Sequence, residues 1–385
     1  MIVINQGHIS EKSNTATLST EIDIDDSERE VFVTVDSEYG KFLSPERADY
    51  ALLGMLAYAM RRKHDITCAA PVTEELLYNL REILIPTLVR SDPRNYPVKI
   101  HADIAPPLEK LNVAEATRGG VGTGISCGVD SFYAVLKHLN SGYPNQDLTH
   151  LCIFNIGSIN ANCYRNEDLL YVKQKIFERA KIVAPELNLP LLKLESNFQN
   201  VIPQNHYRTH TYMDALAIYS LQKLWRIYYY SSTFSFRDFS LKKNMDVDPA
   251  HFEPLLLDCF STSALKIFST GSEGDRNDKV DFIADNSVAR KHLHVCLRKD
   301  TNCGKCSKCL RTLLSLDAAN KLDNFREVFD IDSYIKRRGK IYQYLYEQAV
   351  LKHDVWFTKT YAILSRRHKK FFEELKAKTE TQLEK

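Results

Sequence analysis

The stretch from Gly122 to Leu139, GTGISCGVDSFYAVLKHL, constrains most narrowly how this chain can fold. It reads as a short apolar strand, a tight loop of small residues, and a helix whose apolar face is Phe132, Val135, Leu136 and Leu139. Where a strand hands over to a helix N-terminus, free backbone N–H groups and the positive end of the helix dipole together favour an anion. Ser126 and Ser131 add hydroxyl donors, and Gly128 lets a phosphate approach the backbone without a Cβ in the way. The plainer alternative is an ordinary helix cap supplied by Ser126 or Asp130.

From Val121 onward strands and helices alternate, which predicts a parallel sheet with helices on its faces. A second strand is expected at Leu151 to Ile156, followed by Gly157-Ser158 and a helix from about Asn166 to Val183. The third strand is Leu191 to Leu194, and a helix from Thr211 to about Trp225 precedes a fourth strand, Arg226 to Ser232. Ligands of such sheets bind beyond the carboxyl ends of the strands, so Asn155, Ile156, Ser231 and Ser232 are candidate contacts for a nucleotide or its substrate. Tyr228-Tyr229-Tyr230 suits a central strand buried on both faces and is read as core. His206 and His210, four apart and flanking Arg208, have metal-ligand spacing but no H-E-x-x-H, and are read as donors or solvated residues.

Upstream, residues 1 to about 45 alternate apolar and polar side chains, as in Val31-Phe32-Val33-Thr34-Val35, a strand signature. Ser44-Pro45 marks the start of a helix ending at Arg61-Arg62-Lys63; Thr73 caps a second that Pro86 interrupts, and Val98 to Ala102 reads as a strand. This region, 1–115, is expected to be a small α+β accessory domain without chemistry of its own. Beyond Asp330, Trp356, Phe357, Tyr361 and Leu364 recur at helical spacing among many charges. The segment 326–385 therefore reads as a helical arm for self-association or a protein partner.

Between Cys296 and Cys309 the chain reads CLRKDTNCGKCSKC, spaced C-x6-C-x2-C-x2-C. Turns of C-x2-C type bring two thiolates onto one ion, and Gly304 and Ser307 permit the tight backbone. Four soft thiolates suit a structural Zn²⁺ in a closed shell, and the same spacing overlaps with iron–sulfur runs. Arg298, Lys299, Lys305, Lys308 and Arg311 would offset the anionic charge of such a shell. Hydrophobic content of 44%, 26% charged residues and a net charge of +2 are those of an ordinary globular chain, with no bulk charge calling for nucleic acid or an anionic membrane. The beginning, MIVINQGHISEK, lacks a basic region leading into a long apolar core, so a cytoplasmic protein whose nine cysteines are thiols or metal ligands is expected.

No G-x-x-x-x-G-K-[ST] occurs, so the loop at Ser126 is not of the kinase type. It resembles instead the S-G-G-x-D-S loop of the ATP-pyrophosphatase (PP-loop) family, departing only at Cys127, where the pattern has its first glycine. With the four-cysteine run behind it, residues 118–322 resemble the 7-cyano-7-deazaguanine synthase branch of that family. The resemblance implies an adenine-nucleotide α-hydrolase-like (HUP) domain over 116–325 with a structural zinc knot at Cys296, Cys303, Cys306 and Cys309. It implies that ATP and Mg²⁺ adenylylate a small carboxylate, a deazaguanine-type acid or a relative, with release of pyrophosphate and transfer to ammonia or an amine. The phosphate loop then carries over to Ser126, Cys127, Gly128, Val129, Asp130 and Ser131, with Asp130 organising Mg²⁺. Arg276 and Lys279, basic residues after the last core strand, are the candidates to complete the phosphate clamp. Two competitors share these residues: a PP-loop enzyme that modifies RNA, and a zinc-stabilised nucleotide-binding scaffold without catalysis.

Overall fold

The alternation read from Val121 onward is realised in a computed structural model that describes residues 1–114, 117–157, 166–202, 204–241, 248–296 and 298–383. The chain is α/β with a mostly parallel central sheet. By its internal contacts it divides into two compact units, Met1–Ile125 with Ala134–Ser272, and Ser126–Tyr133 with Glu273–Lys385.

The first unit holds eleven strands of one sheet. In chain order they are β1 (Ile2–Ile4), β2 (His8–Lys12), β3 (Thr15–Ile24), β4 (Ser27–Asp36), β5 (Ile66–Cys68), β6 (Ile100–His101), β7 (Gly120–Gly124), β8 (His150–Asn155), β9 (Leu191–Ser196), β10 (Trp225–Ser231) and β11 (Lys266–Thr270). Their spatial order is β11-β10-β7-β8-β9-β4-β3-β1-β5-β6, with β2 paired to β3. The five strands from β11 to β9 are parallel, and β4 joins them antiparallel through Leu194↔Val35 and Ser196↔Val33. Parallel strands are covered on both faces and so run nearly continuously apolar. Leu151 and Cys152 are buried accordingly, as are all three residues of Tyr228-Tyr229-Tyr230.

The helices needed below are α1 (Asp49–Arg62), α2 (Val129–His138), α3 (Asn166–Glu186), α4 (His206–Ser220), α5 (Arg276–Ile283), α6 (Ser307–Ala318), α7 (Ile331–Tyr346), α8 (Val355–Arg367) and α9 (Lys369–Leu383). Helix α1 packs on α4 at close range: a Cβ added at Gly54 would lie 2.5 Å from Leu216 Cδ1. No described helix is long and apolar enough to cross a membrane.

Several boundaries differ from the sequence reading, each for a local reason. Helix α1 begins at Asp49, not at Ser44, whose N–H is bonded to Ser220 O. Thr73 precedes the helix Glu74–Tyr78 without capping it, because its hydroxyl donates to the buried Asp49 carboxylate at 2.6 Å. Pro86 does not end the helical path; a π turn over Asn79–Leu84 leads into Ile85–Ser91, with Pro86 in the first turn, where its missing N–H costs least. Helix α4 starts at His206, capped by Asn205, and Trp225 belongs to β10 rather than to that helix. The strand at Val98–Ala102 shrinks to β6, β11 is an additional fifth parallel strand, and Ser158 lies outside the described residues.

The contact grouping also departs from three consecutive domains. Most strands of 1–115 belong to the central sheet, which β4 joins along the edge of β9, while Val72–Thr73 and Ile104–Ala105 pair in a small sheet of their own. The loop Ser126–Tyr133 groups with residues 273–385, and so does the C-terminal helical segment.

The burial of His150 has a measurable consequence. It opens β8 with Nδ1 2.7 Å from Thr149 Oγ1 and its ring edge-on to Trp225 at 5.6 Å. Burial lowers its pKa to about 4. The unfolded chain therefore protonates this residue first as pH falls: its contribution to stability is whole above about pH 6.5 and is lost towards pH 4, by about 1.4 kcal/mol per pH unit. His206, also lowered to about 4 by burial, has the same sign. Urea unfolding of His150→Gln between pH 4 and 7 should show a shallower loss of stability than the unaltered chain; an equal slope would remove His150 from the account.

Candidate anion and metal sites

The second unit gathers residues far apart in sequence. Asp275 caps α5, accepting from the N–H groups of Asn277 (2.9 Å) and Asp278 (3.3 Å), while Asp278 Oδ2 accepts from Asp275 N–H at 2.9 Å. This capping box fixes the first turn, from which Arg276 and Lys279, three apart, project together. Both reach Asp130 in the first turn of α2: Arg276 Nη1 lies 2.8 Å from Oδ2 and Lys279 Nζ 3.3 Å from Oδ1. Lys279 is 1% exposed, Arg276 11% and Asp130 29%. Burial works to raise the Asp130 pKa, yet Arg276, then Lys279 and Arg311, hold it below the ordinary carboxylate value.

Helix α6 contributes the rest of the cluster. Arg276 Nη2 donates to Thr312 Oγ1 at 3.4 Å, and Arg311 is electrostatically coupled to both Arg276 and Asp130. Lys308, at the solvent edge, has its pKa lowered by crowding and by Arg311 and Arg276. Two like charges about 5 Å apart repel by roughly 3 kcal/mol at an effective dielectric of 20, and Arg311 is opposed by Arg276 and supported by Asp130 and Asp354. The buried Nε atoms of Arg276 and Arg311 moreover have no hydrogen-bond partner among the described residues. A cluster of cations with two buried donors open suits an anion.

The loop beside it differs from the expectation in two ways. Its serine hydroxyls are bonded to each other, Ser126 Oγ to Ser131 Oγ at 3.2 Å, and Ser131 Oγ donates to Gly128 O at 3.1 Å. They brace the turn in this state. Cys127 is buried with φ of 58°, in the left-handed region that favours glycine, and its carbonyl accepts from His294 N–H at 2.8 Å. That dihedral explains why the resembled pattern has glycine here: a side chain costs roughly 1–2 kcal/mol. Val129 is buried and opens α2, and Gly128 O accepts from Phe132 N–H at 3.0 Å. Asn155, Ile156, Ser231 and Ser232 belong to the first unit, at the carboxyl ends of β8 and β10. There Ser232 is buried, its hydroxyl donating to Phe234 O at 2.8 Å, and Asn155 is half-buried.

The four cysteines of the run converge, with their sulfurs all within 4.8 Å of one another. Tetrahedral Zn–S bonds of 2.3 Å place sulfurs about 3.8 Å apart, so a slight contraction makes a closed shell. The group can hold a metal such as zinc. Gly304, at φ 62°, makes the first C-x2-C turn, and its carbonyl accepts from Arg337 of α7 at 3.3 Å. Cys306 occupies the N-cap position of α6 and Cys309 its first turn, and burial raises both thiols. Backbone N–H groups of Lys305 and Cys306 outweigh burial at Cys303 and lower its thiol to about 6. Asn302 ties the loop down, accepting from Val295 and Cys296 N–H groups and donating to Leu293 O and Val328 O.

Sequence reasoning found Asp130, Arg276, Lys279 and the four cysteines. It assigned Lys308 and Arg311 to charge balance at the cysteines; Lys308 interacts electrostatically with Cys306 and also with Asp130, and Arg311 with Asp130. Their spacing, three apart on the helix that follows Cys306, was the available signal. Thr312 and Asn302 carried none. In the first unit, His210 lies between Asp248 Oδ1 (2.8 Å) and Tyr230 OH (2.9 Å), with the His206 ring 5.8 Å away. Among the described residues, the cysteines alone form a group with metal-site geometry; His210 is held by its two hydrogen bonds, while His206 Nδ1 is buried with no hydrogen-bond partner among them.

Comparison with protein-family models, with curated proteins and with solved structures finds no match to this chain.

Replacing Cys306 by alanine removes one of the four sulfurs that converge at the start of α6. The expected outcome is loss of bound metal in elemental analysis and a melting temperature lower by on the order of 10 °C. Retention of both metal and melting temperature would show that the cysteines hold no structural ion.

Proposed function

We propose that this chain is an ATP-pyrophosphatase of the PP-loop type, which activates a small carboxylate as its adenylate and passes it to a nitrogen nucleophile. The observation that carries the reading is the meeting of Arg276 and Lys279 with Asp130 of the S-C-G-V-D-S loop, across more than 140 residues of chain. Loop N–H groups and the cations Arg276, Lys279 and Arg311 would bind the β- and γ-phosphates and stabilise the charge that develops on pyrophosphate as it leaves. Asp130, with the phosphates themselves, would hold Mg²⁺, which supplies further charge neutralisation. Without nucleotide the carboxylate instead serves as counter-ion to the cations. The cysteine shell, which begins 13 residues after α5 ends and runs into α6, would keep a structural Zn²⁺ that fixes Arg311 and Lys308 in place. The acid would be of the deazaguanine type or a relative, and the nitrogen donor ammonia or an amine, on the resemblance alone.

A non-catalytic nucleotide-binding scaffold is the second reading, favoured by Cys127 in a glycine conformation and by serine hydroxyls spent on each other. Incubation with ATP, Mg²⁺, ammonium and 7-carboxy-7-deazaguanine, followed by nucleotide chromatography, separates the two. The proposal expects AMP only when the acid is present, and at least a 100-fold loss in Asp130→Ala with folding retained. ADP, or AMP formation by Asp130→Ala at the unaltered rate, would overturn it. Intact ATP in both the unaltered chain and Cys127→Gly, with ATP nonetheless bound, would establish the scaffold.

A further inference from the structure

We infer that α8, in the C-terminal segment, is a working part of the anion site: Trp356 positions the Arg311 guanidinium, and Lys359 neutralises the carboxylates that share the first turn of α5 with Arg276 and Lys279. The inference rests on the anion-binding reading of the Asp130 cluster and extends it to residues that the phosphate-loop resemblance does not cover.

Three contacts come from one face of α8, at positions 356, 359 and 360. Asp354 caps the helix by accepting from Trp356 N–H at 3.0 Å and so sets where the indole begins. The indole ring centroid lies 4.2 Å from Arg311 Cζ. Stacking confines a guanidinium to a plane while leaving its in-plane N–H groups able to donate. Arg311 thus lies over the indole, with Asp354 and Asp130 acting on its charge and its Nε without a hydrogen-bond partner among the described residues.

Lys359 addresses a different problem. The carboxylates of Asp275 and Asp278 are needed for the α5 cap, yet they flank the two residues that reach Asp130 and would oppose an incoming anion. Lys359 Nζ lies 2.5 Å from Asp275 Oδ2 and 2.9 Å from Asp278 Oδ1, bridging both. One turn position further, Thr360 Oγ1 donates to Asn277 Oδ1 at 2.9 Å in a buried contact, locking α8 to the same turn of α5. The segment that reads as an arm for a partner thus packs against the two helices that carry the cations.

The test uses the full chain and inorganic pyrophosphate as probe, with calorimetric affinity and tryptophan fluorescence as readouts. Trp225, the other tryptophan, is buried in the first unit and provides a constant background. The expected results are a fluorescence change on binding that disappears in Trp356→Phe, affinity within about threefold in that variant, and roughly tenfold weaker binding in Trp356→Ala. Lys359→Gln should bind roughly three- to tenfold more weakly at low salt, with the deficit shrinking at about 0.5 M salt, and Lys359→Arg should restore affinity. If Trp356→Ala and Lys359→Gln lower the melting temperature but bind pyrophosphate as the unaltered chain does, α8 is a structural brace only and this inference alone fails. If the unaltered chain has no affinity for pyrophosphate, the anion site and this inference fall together.

Discussion

The pairing of Asp130 with Arg276 and Lys279 is the interaction on which the second unit depends. A single carboxylate in the first turn of one helix fastens two cations from the first turn of another, and Lys279 is almost completely withdrawn from solvent. A buried cation without a partner is costly, and such a pair is worth less as net stability than its loss would cost. Asp130 therefore has two duties. It keeps the cations together when nothing else neutralises them, and it is the acidic group available when a phosphate takes them over. Removing it should disturb the fold less in the presence of a polyanion than in its absence, because the polyanion supplies the missing charge.

The cysteine loop and the cation cluster form one piece of machinery because α6 serves both. Cys306 and Cys309 stand at its N-terminus, while Lys308, Arg311 and Thr312 face α5 and Asp130 from the next residues along. A metal held at the start of this helix would set the axial position and rotation of the side chains that follow. An ion held by the cysteines and an anion held by the cations would then be first and second layers of the same construction.

How much of this was legible in the sequence depended on distance along the chain. The strand–loop–helix at Ser126 and the cysteine spacing are local patterns with strict periodicity, and both were read directly. Arg276 and Lys279 were reachable only through resemblance, since nothing local distinguishes them from a solvated charged loop. The pairing of β4 with β9 joins residues about 160 apart and leaves no mark on either strand, both of which look complete in isolation. Thr73 illustrates the opposite failure. Its position before a helix signals a cap, but the nearby Asp49 carboxylate offered its hydroxyl a better acceptor. Trp356 was visible as an amphipathic residue, and the face it occupies was right, although what it packs against could not be read.

The antiparallel joint between β4 and β9 bears on what counts as the smallest unit of this protein. Residues 118–322, the span that carries the resemblance, would end at β9 with a row of unpaired backbone N–H and C=O groups and the apolar flank of Leu192 and Leu194 beside it. Open edges of that kind recruit further strands from neighbouring molecules. The N-terminal strands thus act as a permanently attached edge guard, and a chain trimmed to its recognisable middle would offer that edge to its own copies.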